Sequence, residues 1–221
     1  MSSTIQVSKL SKTDLTTLDL QRVEKNGKTY YNILNGKNYF YMQTDYVYNT
    51  FPMSDYKGNQ KYGVQLNINE EQYKELQELK EKLLSLTFNN KDILKDTKKN
   101  IKSMDVLESI FQFPTSEREY QDNKYYNMKV SFNTNYDNKD MLNCDVLVQK
   151  EKVANKKVMA DQLIKMLGSR NKALYVIKPY YYVVGGNLGA SFKVELIKLK
   201  EDSRDKAIEK DFSKLLLEDD E

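Results

Sequence analysis

The chain contains no histidine and no tryptophan, and only one cysteine among its 221 residues. Without histidine, the commonest general base, the usual catalytic triads and the usual transition-metal ligand are missing. Cys144 has no partner for an internal disulfide and no histidine with which to form a Cys/His zinc site. We therefore expect a protein of a reducing, intracellular compartment that has no metal and no disulfide.

Long apolar runs are also missing from the sequence. No uninterrupted run approaches the roughly 20 apolar residues that span a bilayer. The stretch Met1 to Leu10 lacks the basic start and apolar core of a secretory signal peptide. We therefore expect neither a membrane span nor a cleaved leader.

The motifs of nucleotide-binding and metal-dependent enzymes are not found either. No Gly-x-x-x-x-Gly-Lys-Ser/Thr loop occurs, and the glycines at 185, 186 and 189 fall in a predicted hairpin rather than between a strand and a helix. Carboxylates can hold Mg²⁺ in a nuclease, but nothing in the spacing of the candidates supports such a site. These candidates are Asp45, Asp55, Asp140 and Asp145. We expect no enzymatic activity and no cofactor.

What the chain does contain is an uneven distribution of charge and many tyrosines. Residues 201–221 carry nine acidic and four basic side chains, a balance of −5, whereas residues 1–200 carry 31 basic and 23 acidic ones, a balance of +8. A basic body favours a polyanionic ligand, although a Lys-rich and Asn-rich composition is also typical of AT-rich genomes. The 17 tyrosines and 8 phenylalanines often stand beside Lys or Asn.

The first part of the chain predicts a three-stranded meander followed by a strand and a helix. Asn26-Gly27 and Asn35-Gly36 are strong hairpin signals, and they place Tyr31 opposite Phe40 and Tyr30 opposite Tyr41. The predicted strands are 17–25, 28–34, 37–43 and 61–68, with a loop around Phe51-Pro52 between the last two. An apolar stripe at helical spacing predicts a core-packing helix over 70–86, started by a capping box of Asn67 and Glu70.

The second part predicts mostly strands. After a polar link (89–100) and a short helix near 101–111, the alternation over 125–132 predicts a strand with one apolar and one basic-polar face. A short strand over 144–149 and a helix over 158–167 follow. Residues 173–184 and 191–200 form a hairpin around Gly185-Gly186-Asn187, with a bulge near Leu196 and Ile197 where the alternation changes phase.

This count of about eight strands, most of them joined by hairpins, with one or two inserted helices, predicts a mainly β fold of the α+β kind. An antiparallel barrel or a strongly curved sheet fits it better than a layered α/β fold. We expect one domain over residues 1–200 and a flexible acidic tail over 201–221.

Four clusters combine tyrosine with lysine on predicted strands: 28–31, 37–41, 124–126 and 178–182. Rings that stack on unpaired bases, interleaved with cations that contact phosphates, are what a general binder of single-stranded DNA needs. Strand alternation sends about half of such rings into the core. The predicted nucleic-acid-binding residues are Lys28, Tyr30, Lys37, Tyr39, Tyr41, Lys124, Tyr125, Lys129, Lys178, Tyr180, Tyr182, Phe192 and Lys193.

The order of these segments resembles the OB-fold single-stranded DNA-binding proteins of large nucleocytoplasmic DNA viruses and some phages. The resemblance covers roughly residues 30 to 200. It rests on Phe51-Pro52-Met53, the strands Lys61 to Leu66 and Tyr125 to Val130, and the hairpin from Ile177 to Val194 with Gly189 before Phe192. It implies an OB-like barrel that coats single-stranded DNA during replication, recombination or repair, in the cytoplasm, the nucleus or a viral factory.

The resemblance also implies an acidic C-terminal tail that recruits replication proteins and competes with DNA. The matching residues are Glu218, Asp219, Asp220 and Glu221. Homo-oligomers are compatible with such a role. RNA stays an alternative ligand, because stacking and phosphate contacts do not read the 2′-hydroxyl. The chief rival is a virion or host-binding module whose tyrosine-rich sheet recognises another protein, and a carboxylate-metal nuclease is the third alternative.

Overall fold

The computed structural model describes residues 8–9, 14–25, 28–55, 58–148, 151–154, 158–168 and 172–200. Its helices are α1 (Glu70–Phe88), α2 (Lys91–Asp96), α3 (Met104–Ile110) and α4 (Ala160–Met166). Its strands are β1 (Ser8–Lys9), β2 (Leu18–Lys25), β3 (Lys28–Asn35), β4 (Asn38–Tyr39), β5 (Met42–Gln43), β6 (Val47–Asp55), β7 (Tyr62–Ile68), β8 (Phe111–Gln112), β9 (Thr115–Tyr120), β10 (Asn123–Phe132), β11 (Met141–Leu142), β12 (Asp145–Val148), β13 (Glu151–Ala154), β14 (Val158–Met159), β15 (Lys172–Val184) and β16 (Asn187–Leu199).

Five of these strands close a barrel. Strand β6 pairs with β7, β7 with β10, β10 with β16, β16 with β15, and β15 returns to β6. In chain order the barrel strands are therefore arranged 1-2-3-5-4, and only the third and fifth, β10 and β16, run parallel. The predicted mainly β fold with an OB-like barrel and inserted helices is confirmed.

The barrel core follows the alternation of the two longest strands. Along β15 every second side chain is buried, including Tyr175, Ile177 and Tyr181, each at 1% exposure or less. The ladder between β15 and β16 shifts register between Val176 and Ile177, so that Val176 is opposite Leu196 and Ile177 is opposite Val194. This bulge, predicted from the change of phase near Leu196, lets both halves of β16 keep their apolar side chains inside.

Helix α1 fills one side of the core as predicted, but its N-terminal cap lies two residues later than expected. Asn69, not Asn67, is the N-cap, and its side chain accepts a hydrogen bond from the backbone N–H of Gln72. The Gln72 side chain accepts in return from the backbone N–H of Asn69, which completes the capping box. Because strand β7 continues to Ile68, Asn67 still belongs to the sheet.

The predicted meander needs a correction at its second turn. Gly36, with φ of +60°, and Lys37 form the turn, so that Asn35 pairs with Asn38 and Leu34 with Tyr39. The expected pairs of Tyr31 with Phe40 and of Tyr30 with Tyr41 are therefore wrong. The third strand is split into β4 and β5, and along 30–32 β15 takes its place beside β3, while β2 pairs with the other edge of β3 as predicted. The predicted turn at Asn26-Gly27 lies outside the described residues.

Three of the longer elements were not expected. Strand β6 occupies the predicted loop around Phe51, helix α2 lies within the predicted polar link, and strand β9 pairs with β10. The predicted second helix is α3, and the predicted helix over 158–167 is α4, which starts two residues late because Val158 and Met159 pair with β11. None of the helices in the described part of the chain is long and apolar enough to cross a membrane.

Candidate nucleic-acid interface

A groove of about 810 Å³ runs along the outer face of the barrel. Its floor is formed by the outward-facing residues of β7, β10 and β16, and one wall comes from β6. Neighbouring strands bring these side chains side by side, since Lys129 is opposite Gln65 and Ser131 is opposite Lys193 in the ladders. The groove is open to solvent and is lined by residues of four barrel strands.

Three lysines line this groove, one at the start of β7 and one each on β10 and β16. Lys61 and Lys129 are exposed, and Lys193 is half-buried. Burial and the positive charge of Lys61 lower the pKa of Lys193. Both effects destabilise the charged form of Lys193, and a bound anion would stabilise that form. The groove therefore favours an anionic ligand.

One aromatic ring stands at the wall of the groove. Phe51 is 54% exposed, although it lies in a strand of the barrel, and it is opposite Gln65 in the ladder between β6 and β7. Gly63 also lines the groove and is opposite Ser54 of the same strand as Phe51; an added Cβ at Gly63 would be only 3.0 Å from the carbonyl oxygen of Val130. The groove floor therefore has no side chain at this position.

A second depression of about 310 Å³ continues the groove on the other side of Lys129 and Ser131, which line both. Tyr182 lies at its border, and its hydroxyl donates a hydrogen bond of 2.8 Å to Oε1 of Gln112. Tyr30 is opposite Tyr182 in the ladder between β3 and β15 and is 38% exposed. The groove thus ends on a pair of tyrosines.

Beside the groove, three tyrosines surround the ammonium group of Lys178. The Nζ atom lies 3.6 Å from the ring centroid of Tyr39, 5.1 Å from that of Tyr180 and 5.8 Å from that of Tyr41. Lys178 is opposite Lys193 across β15 and β16, so this cage is on the same outer surface as the groove. Burial lowers the pKa of Lys178 and raises that of Tyr180 to about 12, and Glu195 is the charged neighbour of both.

The structure brings eight of the thirteen predicted binding residues together in the groove, at its tyrosine end and in the cage. These are Tyr30, Tyr39, Tyr41, Lys129, Lys178, Tyr180, Tyr182 and Lys193. Lys37 is exposed in the turn before β4. The side chain of Lys28 lies outside the described residues, as does the whole predicted docking tail of residues 218–221.

Two predicted residues lie on an arm formed by β9 and β10. Lys124 makes an ion pair of 2.7 Å with Glu117 on β9. Tyr125 is 43% exposed and is opposite Arg118. Tyr125 shares its face with Lys129, but the buried Asn127 lies between them, so the structure separates the arm from the groove.

One predicted residue is corrected by the structure. Phe192 is 1% exposed, and its ring packs edge-on against Phe113 with the centroids 5.4 Å apart. Adjacent residues of a strand point to opposite faces, so Phe192 must face the core when Lys193 faces the groove. Its ring is not accessible to a base.

Several groove residues were missing from the predicted set, namely Phe51, Lys61, Gly63 and Gln65. Along β7 the positions 63 and 65 alternate with the buried Val64 and Leu66 and therefore face outward. The sequence thus carried a signal for these two positions. Phe51 had no such signal, since its segment was expected to be a loop.

Two of the four carboxylates proposed for a nuclease accept hydrogen bonds from the protein itself. The Asp140 Oδ1 atom accepts a 2.5 Å hydrogen bond from the hydroxyl of Tyr62. The Asp55 Oδ1 atom accepts from the backbone N–H of Lys61. Across the described residues no group of three or more Cys, Asp or Glu side chains is placed to hold a metal ion.

Comparison with known proteins finds similarity at the level of fold. No family model and no curated protein matches the sequence. The single-stranded DNA-binding protein from bacteriophage Enc34 is similar at 13% identity and a TM-score of 0.49, over 83% of this chain and 90% of that chain. Its complex with single-stranded DNA gives 13% and 0.49 over 85% and 97% of the two chains, and its C-terminal truncation gives 12% and 0.47 over 83% and 96%.

Proposed function

We propose that this protein binds single-stranded DNA without strong sequence preference. The observation that carries the proposal is the groove in which Lys61, Lys129 and Lys193 lie beside the exposed ring of Phe51. The cations would neutralise phosphates, and the ring would stack on a base. Such a combination on the outer face of a small barrel is the general solution for holding a single strand.

The exposed rings favour a single strand over a duplex. Stacking needs an open base face, which pairing and stacking within a duplex conceal. Every base has such a face, so stacking discriminates little between sequences. The groove is continuous with the tyrosines at 30 and 182 and adjoins the Lys178 cage, so it offers contacts to several successive nucleotides.

In this proposal the protein coats exposed DNA strands during replication, recombination or repair and performs no chemistry on them. Residues 1–200 would act as one binding domain. The acidic residues 218–221 would dock replication proteins. The −5 charge balance of residues 201–221 supports a role for this segment in binding basic partners.

The test is a titration of a fluorescein-labelled oligo(dT) of about 30 nucleotides, followed by anisotropy at several salt concentrations. Affinity should fall as salt rises, with a slope in log–log form of about −0.7 for each phosphate contact. Duplex DNA should not displace the oligonucleotide, and single-stranded RNA as competitor decides between the two ligands. Absence of binding at low salt would overturn the proposal and favour the protein-binding alternative.

Variants link the binding to the groove. Lys61→Ala and Lys129→Ala should each weaken binding and reduce the salt slope by about 0.7. Lys91→Ala is the matched control. Lys91 begins α2, which docks through Asp96 on Tyr31, on the face of β3 opposite Tyr30. An equal effect of all three variants would show that charge acts without regard to the groove.

A further inference from the structure

A loop between β10 and β11 lies at the end of the groove away from the tyrosine pair. Asn133 and Thr134, its first residues, line the groove itself. The hydroxyl of Tyr62, on β7, donates a 2.5 Å hydrogen bond to Asp140 near the end of the loop. The loop is thus attached to the strand that forms the groove floor.

The backbone of this loop is held by its own hydrogen bonds. Thr134 and Leu142 form a bridge, and the Asn135 N–H donates to the Met141 carbonyl at 2.8 Å. The Asn135 side chain accepts hydrogen bonds from the backbone N–H groups of residues 137 and 138, at 2.9 and 3.3 Å. The tip of the loop is therefore ordered without a ligand.

At this tip the loop presents Tyr136, which is 96% exposed. The next most exposed large apolar side chain in the described residues is Tyr120, at 65%. A tyrosine with both ring faces in water contributes nothing to the stability of the fold. On an ordered loop, however, it is a preformed stacking surface, because binding need not order the backbone that carries it. Lys139, also exposed, adds a cation to the same loop.

We infer that Tyr136 stacks on a base of the strand as it leaves the groove past Thr134. The inference rests on the proposed function and deepens it, because it extends the binding path beyond the barrel strands. Lys139 would contact the phosphate next to that base. The path then runs from Tyr136, along the three groove lysines, to the tyrosine pair at 30 and 182.

The absence of tryptophan from the chain provides a direct test. Tyr136→Trp places a single fluorophore at the loop tip, which can be excited at wavelengths where tyrosine does not absorb. Tyr120→Trp is the matched control, since Tyr120 is also exposed but lies beside the turn of the β9–β10 arm. Each variant is titrated with oligo(dT) of about 30 nucleotides, and quenching and anisotropy of the labelled oligonucleotide are followed in parallel.

Stacking predicts quenching of the Tyr136→Trp emission that saturates together with the anisotropy, and none for Tyr120→Trp. Tyr136→Ala should lose roughly 5- to 150-fold in affinity, and Tyr136→Phe should retain it. Binding without quenching at position 136, or an unchanged affinity of Tyr136→Ala, would overturn the inference and leave the proposed function standing. If wild-type protein does not bind at all, the two fall together.

Discussion

Phe51 is the residue at which exposure and position point most clearly to a ligand. Replacing it with alanine should cost roughly 1 to 3 kcal/mol of single-stranded DNA affinity, the value of one stacked base. Stability should hardly change, because the ring is 54% exposed. Anisotropy and urea denaturation measure the two quantities.

Tyr48→Ala is the control for Phe51→Ala. Tyr48 lies on the same strand and is 45% exposed, but it contacts Lys172 on β15 outside the groove. Its removal should leave the affinity unchanged. If both variants lose affinity equally, the ring of Phe51 has no special role.

For single residues, the alternation of side chains along a strand made part of the site predictable. The sequence placed Tyr180 and Tyr182 on the face of Lys178, and the structure places all three on the outer surface. The same rule excludes Phe192 once Lys193 faces outward. The contact of Lys178 with Tyr39 joins residues far apart in the chain, and no local pattern encodes their distance of 3.6 Å.

Among the elements, α2 contacts the sheet through the carboxylate of Asp96, in addition to the buried side chain of Ile93. Asp96 accepts hydrogen bonds from the hydroxyl of Tyr31 at 2.6 Å and from Nε of Arg22 at 3.1 Å. Asp96→Asn should therefore lower the free energy of unfolding by about 1 to 2 kcal/mol. Urea denaturation of the variant, with Tyr31→Phe in a double-mutant cycle, measures the loss and its coupling to the hydroxyl.

The same contact predicts a pH dependence. The hydrogen bond from Tyr31, and then that from Arg22, lower the pKa of Asp96 in the folded protein. The stabilisation should be complete above the unfolded pKa of about 4 and should disappear as the pH falls through the lower folded pKa. Asp96→Asn cannot lose a charge on acidification, so its free energy of unfolding should fall less than that of the wild type as the pH decreases. Equal acid profiles of the two proteins would contradict it.

The insertion that carries the helices also depends on one glycine. Gly189 pairs with Gln112 where β16 meets β8, and an added Cβ would lie 2.1 Å from the Gln112 carbonyl oxygen. Gly189→Ala must displace β8 and should cost about 1 to 3 kcal/mol in thermal or urea unfolding. Gly168→Ala, where the nearest atom is 3.6 Å away, is the neutral comparison.

The existence of most long elements was predictable, but the register of the second hairpin was not. Asn35-Gly36 looks like a two-residue turn, yet the chain turns one residue later at Gly36-Lys37. The reason is tertiary, because the edge of β3 that the predicted hairpin leaves to its third strand pairs with β15 at Tyr31, while Arg22 of β2 stays on the other edge. Strand β6 was missed because Pro52 interrupts its pattern, and the structure tolerates it where the ladder shifts register between Phe51 and Ser54.

For the whole molecule, the count of hairpins indicated a β-barrel but not how it closes. Closure needs the parallel pairing of Ser131 with Lys193 and the return of Lys172 to Tyr48. Parallel partners are joined by long connections and leave no turn signature between them. The groove could be inferred only in its parts, since the strands that bring those parts together are distant in sequence.

Closure of the barrel also determines when the nascent chain can fold. Strand β16 is the last described strand, and it is bonded to β15, β10, β12 and β8 at once. A nascent chain cannot complete the barrel before residue 199 has left the ribosome, and such non-local contacts make folding slow. A chain that stops at Gly186 should therefore lack cooperative unfolding in calorimetry, whereas one that stops at Lys200 should keep it. Premature termination would then release an unfolded chain rather than a weaker binder.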